Sequence, residues 1–480
     1  MSAPREQWTS KLAFVLAAAG SAVGLGNIWR FSYVVGTNGG AAFVFMYLVI
    51  IAVIGYPMMV TEVTLGQKAH KDPIGTFKAL APDTPWWLVG AMGVMAGFII
   101  LSFYSVVGGW SLAYVFKTFT GALGAGTDFG GEFVGLIGSA GQPIFWHALF
   151  MLLTIGIIAA GVVNGISRSV RILMPALFVL LLILVIRSVT LPGAGAGIAF
   201  YLRPDFSELN AQSLLAAVGQ AFFTLSLGMG AMITYGSYLN DKEDIPDNAG
   251  WVVGLDTFIA LLAGFAIFPA VFALGQDPGA GAGLAFITLP AVFAEIPAGL
   301  LFGGLFFLLL SVAALTSAIS LLEVVVAWII DEHEWVRWKA ALVLGGIIFL
   351  LGIPASLSLG AADITVIGMP FFDFLDFLQE SILLPLGGLL TSIFAGYVWK
   401  AKRTRDAANA NAKKLKLGWW FDVLIMYVVP VAIALVMMFG LVDQYPIMAW
   451  VFAAGFGTAI FFTILYHVIK AAIKNSRPMN

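Results

Sequence analysis

Five ionisable residues stand inside long apolar stretches of this chain: Arg30, Glu62, Asp256, Glu323 and Asp376. Charge is costly in hydrocarbon, so each marks a candidate ion, proton or gating position. For Glu62 and Glu323 a structural hydrogen-bonding role weighs equally, and both stay outside the core site. Two further runs, Gly20-Ser-Ala-Val-Gly-Leu-Gly-Asn27 and Thr224-Leu-Ser-Leu-Gly-Met-Gly230, put small and polar residues into apolar surroundings. Such runs weaken a helix and free backbone groups. Each alone reads equally as a close helix contact, because Gly20 and Gly24 have the four-residue spacing of small-residue packing. Enzyme chemistry finds little support. There is no cysteine, the four histidines are scattered, and no nucleophile–base pair appears.

The elements that must carry these residues are membrane spans. Of 480 residues, 60% are hydrophobic and 10% charged, against roughly 45–50% and 25% in soluble proteins. That excludes a nucleic-acid binder, a secreted disulfide scaffold and an ordinary cytosolic enzyme. A span needs about 20 apolar residues. Twelve candidates follow: 12–36, 41–66, 87–116, 144–163, 170–192, 211–238, 251–274, 300–330, 338–353, 367–399, 419–441 and 446–471. The stretch from Leu284 to Leu300 reads as an external lid or re-entrant piece. The Gly-rich pieces Gly193–Gly197 and Gly279–Gly283 read as loops. With the N-terminus inside, 20 of the 24 basic residues fall on the cytoplasmic side, as the positive-inside rule requires. Both interruptions occupy equivalent places, spans one and six. That pattern points to an inverted-repeat transporter with its site at the breaks.

The expected organisation is all-α and polytopic, with twelve transmembrane helices and a five-plus-five inverted repeat. Residues 1–11 form a cytoplasmic N-terminus, 12–192 the first repeat, and 193–210 an external loop. Residues 211–399 form the second repeat, 400–418 a solvated cytoplasmic loop, 419–473 the last two spans, and 474–480 a cytoplasmic tail.

The motifs also carry a family resemblance. Arg5-Glu-Gln-Trp8 and Gly20 to Phe31 resemble the neurotransmitter:sodium symporters, as do Gly219 to Gly230, Leu315-Thr-Ser-Ala-Ile-Ser320 and Phe371-Phe-Asp-Phe-Leu-Asp376. The resemblance implies two sodium sites. The first uses Ala22, Asn27, Thr224 and Asp256, completed by the substrate carboxylate. The second uses the carbonyls of Gly20, Val23 and Ala313 with the hydroxyls of Thr316 and Ser317. Sodium is a hard cation, and unwound backbone supplies oxygens an intact helix could not spare. It implies an outer gate of Arg30 with Asp376 above Tyr104 and Phe223. The implied inner gate is Arg5 with Asp331, helped by Trp8, Ser237 and Tyr238. Gly165 and Pro175 correspond to a segment that unwinds locally in family members.

By the same resemblance the substrate lies against Ala22, Gly24, Leu25, Gly26 and Thr224, with the Tyr104 hydroxyl on its carboxylate. Its side chain faces Ile100, Phe223, Ser226, Met229, Ser317 and Leu321. Monoamine-handling members carry an aspartate at the Gly24 position, so here the substrate should bring its own carboxylate. The pocket holds no compensating charge, which favours a neutral hydrophobic L-amino acid. Chloride-dependent members carry asparagine where Asp256 stands and serine where Ala260 stands, so no chloride requirement is expected. The functional expectation is sodium-coupled amino-acid import by alternating access, with two sodium ions per substrate. Alternatives are a transporter of small or non-proteinogenic amino acids, or a same-fold sensor or regulatory protein. The expected partners are the amino acid and the bilayer, with no nucleic acid, in a monomer or homodimer. The expected setting is a bacterial inner membrane with both termini cytoplasmic.

Overall fold

The computed structural model describes residues 6–278 and 283–444. Arg5, the twelfth candidate span (446–471) and residues 279–282 lie outside the described residues. The helices are α1 (Lys11–Ala22), α2 (Gly26–Thr37), α3 (Ala41–Ala69), α4 (Pro73–Leu80), α5 (Trp87–Phe119) and α6 (Phe129–Ile137). There follow α7 (Gly141–Ala159), α8 (Val162–Val189), α9 (Ala194–Leu202), α10 (Ala211–Thr224), α11 (Ala231–Ser237) and α12 (Ile245–Ala273). The remainder are α13 (Leu284–Glu295), α14 (Gly299–His333), α15 (Arg337–Leu357), α16 (Phe371–Val398), α17 (Ala401–Ala408) and α18 (Trp419–Phe439).

Among the described residues nine helices are long and apolar enough to cross a membrane, and α1 with α2 forms a further span bent by 53°. The chain is a multi-span membrane protein. The sixth span is also interrupted: α10 stops at Thr224 and α11 starts at Ala231. Here Ser226 (φ +53°), Gly228 (φ +78°) and Gly230 (φ +76°) turn the chain through left-handed conformations that no helix continues.

The surface is inverted relative to a soluble protein. Leu152, Ile172, Ile186 and Leu350 are each more than 60% exposed, as a lipid-facing surface requires, whereas Asn27, Glu62, Asp256 and Glu323 are fully buried. The long helix α14 lies along α5 and also contacts α1. Close approach relies on small residues. Against α11, a Cβ on Gly66 would sit 2.0 Å from the Ile233 carbonyl oxygen, and one on Gly236 would sit 2.5 Å from that of Val63. Two backbones therefore touch where both helices lack side chains.

Several sequence expectations need correction. The external loop 193–210 contains α9, and the cytoplasmic loop 400–418 contains α17. In α17, Ala401, Thr404 and Ala408 form one buried stripe, and Arg405 ties it to Asp422 at 2.7 Å. The high charge of that segment hid a helical spacing. The tenth span starts at Phe371 rather than 367, because Thr365–Val366 and Met369–Pro370 form a small antiparallel hairpin. Its turn residues Ile367 and Gly368 both have positive φ, which the right-handed twist of paired strands favours. The lid candidate is the short helix α13, anchored by Phe286 among Trp29, Trp110, Tyr114, Phe133 and Phe307.

Gly66→Ala and Gly236→Ala should each destabilise the protein by about 1–3 kcal/mol. The double variant should lose less than the sum, since both sit in one contact. Thermal melting of the detergent-purified protein, followed by size-exclusion, checks this.

Candidate functional site

Interruption of α1 leaves a run of peptide groups without helical partners, and several of them meet side chains. Gly24 N–H donates to Asn27 Oδ1 (3.0 Å), and Leu25 N–H donates to the Tyr104 hydroxyl (3.1 Å). The Gly26 carbonyl accepts from Gln220 Nε2 (2.8 Å). In the sixth span, Gly228 N–H donates to Glu62 Oε1 (2.8 Å). Glu62 thus secures the second break from α3, which is a structural role of the kind its sequence position left open.

Asn27, Thr224 and Asp256 come together. Asn27 Nδ2 donates to Asp256 Oδ1 at 2.7 Å, and the Thr224 hydroxyl donates to the same oxygen at 3.1 Å. Around Thr316, the hydroxyl lies 2.9 Å from the Ala313 carbonyl oxygen and 3.3 Å from that of Val23, with Gly20 packed alongside. Ser317 turns its hydroxyl to the Ser21 carbonyl, 2.9 Å away. Among the described residues no three His, Cys, Asp or Glu side chains gather as a metal cluster. Both oxygen sets are carbonyls, hydroxyls and amides, joined in one case by a carboxylate. That composition suits a hard monovalent cation.

Between these sets lies a narrow cavity. Ala22, Gly24, Gly26, Ile100, Tyr104, Phe223, Ser226, Met229, Ser317 and Leu321 line it, together with Ser21 and Ser320. The last two were missed from sequence. Ser21 lies inside the Gly20–Asn27 run, and Ser320 is one helical turn beyond Thr316 and Ser317, which was the available signal. Leu25 lines a second cavity above, with Trp29, Arg30, Tyr33 and Asp376. Tyr104 and Phe223 line both cavities and so form the partition between them. Gly24 admits no side chain, since a Cβ would lie 2.3 Å from Ser317 Oγ and 2.7 Å from the Tyr104 hydroxyl.

At the expected outer gate Arg30 stacks over Phe223, 4.9 Å from the ring centre, and forms its ion pair with Glu380. The direct ion pair is thus with Glu380, a residue the sequence reading did not name. Asp376 shares the upper cavity with Arg30 but accepts its hydrogen bond from Gln379 Nε2 at 3.0 Å. Glu380 is four residues further along α16 and has the longer reach, a spacing that could have revealed it.

At the expected inner gate Trp8 is buried. Its backbone N–H donates to the Tyr238 carbonyl (3.0 Å), its indole N–H to that of Tyr235 (2.9 Å), and its ring meets both tyrosines edge-on. The Ser237 hydroxyl donates to the Thr234 carbonyl (2.6 Å). Tyr238 donates to Glu323 (2.5 Å), whose carboxylate also holds Arg337 at 2.7 Å. Glu323 therefore belongs with the inner network, although the sequence reading set it aside. Asp331 accepts from Asp72 N–H at 2.8 Å.

The comparisons with known proteins agree with this architecture. The chain matches the sodium:neurotransmitter symporter family over residues 5–127 and 134–473, and it belongs to that family. Its family relatives are transporters, not enzymes. It is 44% identical over 435 residues to YhdH of Bacillus subtilis, described as an uncharacterized sodium-dependent transporter, covering 90% of this chain and 96% of that one. It is 30% identical over 375 residues to the sodium- and chloride-dependent GABA transporter 2 of Rattus norvegicus, covering 68% of this chain and 62% of that one. The crystal structure of MhsT in complex with L-phenylalanine superposes with a TM-score of 0.84 at 51% identity, covering 91% of this chain and 99% of that one.

Asp72, between the second and third spans, caps α4 through the amides of Ile74 (2.9 Å) and Gly75 (3.2 Å). Burial pushes its carboxyl up to about 7, and Asp331 and Glu332 add to the rise against the Gly75 hydrogen bond. The folded state thus holds this proton more tightly than the unfolded chain. The resulting stabilisation is full below the ordinary value of 3.8 and is lost as pH rises through about 7. Melting temperature should accordingly fall more steeply between pH 5 and pH 8 in the unmodified protein than in Asp72→Asn. Parallel profiles would remove the assignment.

Proposed function

We propose that this protein is a sodium-coupled symporter that imports neutral, hydrophobic L-amino acids by alternating access. The observation that carries the reading is the cavity at the two helix breaks. It has an uncharged lining, no room for a side chain at Gly24, and an oxygen set around Asp256 beside it. A ligand there has to supply its own carboxylate, and the amides of Leu25 and Gly26 with the Tyr104 hydroxyl suit that group. The L-phenylalanine in MhsT and the sodium dependence in the names of the bacterial relatives support the same conclusion.

The first sodium ion would be held by Ala22, Asn27, Thr224 and Asp256, and the second by Gly20, Val23, Ala313, Thr316 and Ser317. Two charges crossing about 100 mV contribute roughly 4.6 kcal/mol. A tenfold sodium gradient adds about 1.4 kcal/mol per ion. Together these suffice for accumulation on the order of 10⁵-fold. Tyr104 and Phe223, with Arg30, Glu380 and Asp376 above them, serve as the outer gate. Arg5, Trp8, Ser237, Tyr238 and Asp331 serve as the inner one. Exposed ion pairs are individually weak, which suits gates that must reopen. The two repeats, 12–192 and 211–399, would rock around the site in a bacterial inner membrane with both termini cytoplasmic.

Asp256 replaces chloride in this reading, because its carboxylate balances sodium in a low-dielectric site and Ala260 offers no hydroxyl to an anion. Uptake of labelled phenylalanine into proteoliposomes should require sodium and be unaffected when gluconate replaces chloride. No uptake with sustained binding would favour the sensor alternative. Asp256→Asn should weaken sodium activation by tenfold or more, about 1.4 kcal/mol, read from the half-saturating sodium concentration. An unchanged value would detach Asp256 from the ion.

A further inference from the structure

Four serine hydroxyls meet on the lining of the cavity at the helix breaks: Ser21 from α1, Ser226 from the unwound segment, and Ser317 and Ser320 from α14. All are at least nine-tenths buried. Ser21 Oγ lies 2.7 Å from Ser320 Oγ and 3.2 Å from Ser226 Oγ. The Ser226 and Ser317 hydroxyls both donate to the Ser21 carbonyl, at 3.0 and 2.9 Å, and Ser320 donates to the Ser317 carbonyl at 2.8 Å.

A hydroxyl has one proton to give and two lone pairs to receive with. Three of these protons are directed at backbone carbonyls, and the fourth, on Ser21, is directed at a neighbouring hydroxyl. Every proton in the cluster is committed within the protein, so what remains for a ligand is acceptor capacity. Ser226 reaches its place only through a left-handed backbone conformation (φ +53°), which a residue with a side chain adopts where the surroundings impose it.

We propose that this cluster is a polar subsite of the side-chain pocket, selecting amino acids whose side chain ends in a hydrogen-bond donor, such as a phenol O–H or indole N–H. Apolar or acceptor-tipped side chains of equal size are disfavoured. The inference rests on the amino-acid reading above. A donor entering the cavity meets hydroxyl oxygens whose own protons are already turned to their neighbours. A side chain that lacks the donor leaves those lone pairs unused and forgoes one net hydrogen bond. Ile100, Met229 and Leu321, on the same cavity, accommodate the ring itself.

The experiment is competition against bound tritiated phenylalanine on the purified full chain in sodium, with tyrosine, phenylalanine and 4-fluorophenylalanine as competitors. Tyrosine should outcompete 4-fluorophenylalanine by about three- to tenfold, the range expected of one net hydrogen bond. In Ser21→Ala and Ser320→Ala the ratio of tyrosine to phenylalanine affinity should fall towards one. The ligand series on the unmodified chain decides the matter if either variant fails to fold. Equal displacement by tyrosine and 4-fluorophenylalanine would overturn the proposal. So would equal losses for tyrosine and phenylalanine in the variants, since the cluster would then serve the ammonium group common to both. Absence of any phenylalanine binding would instead remove the amino-acid reading, and this inference with it.

Discussion

Peptide groups released inside a membrane must find partners, because no water is at hand to satisfy them. That constraint organises this protein. The breaks at residues 23–25 and 225–230 expose N–H and C=O groups that α1, α2, α10 and α11 cannot use. Tyr104 from α5, Glu62 from α3, Thr316 and Ser317 from α14, Gln220 from α10 and Asn27 from α2 meet them. Each partner comes from an element that must stand at a fixed distance, so the satisfaction of two short segments sets the relation of the surrounding helices. The same oxygens that remain turned inward are those available to a cation.

The second organising feature is where charge sits. Deeply buried carboxylates have partners on other elements: Asp256 on Asn27 and Thr224, Glu323 on Tyr238 and Arg337, Glu62 on the Gly228 amide. Removing one partner would strand the other in a low-dielectric interior, so these sets hold as units. The Arg30–Glu380 pair is different. Glu380 is 38% exposed, and a pair open to solvent on one side is easily exchanged. The interior is therefore braced by hydrogen-bonded carboxylates, whereas the Arg30–Glu380 closure is made of contacts that separate at little cost.

Much of this was legible in the residues. Apolar length located eleven spans, nine of them to within four residues of the observed helix ends, whereas the fifth starts at Val162 rather than 170 and the seventh at Ile245 rather than 251, because helix continues beyond the apolar stretch. The glycine-rich runs located both breaks, because a residue without a side chain and a run of small polar ones cannot sustain a helix unaided. Charge patterns misled at 400–418, where the Lys-rich composition outweighed the spacing of Ala401, Thr404 and Ala408.

Tertiary structure decided the pairings. Arg30 met Glu380 rather than Asp376, a choice between two carboxylates one helical turn apart that depends on how α16 is rotated towards α2. Glu323 joined Tyr238, and Ser21 and Ser320 entered the cavity lining, through contacts between residues 85 and 299 positions apart in the chain. Composition and periodicity act along the chain, so they determine which segments enter the membrane and where they break. Which side chains face one another across the breaks depends on helix rotation and depth, and these are set only when every freed backbone group and buried charge is satisfied at once.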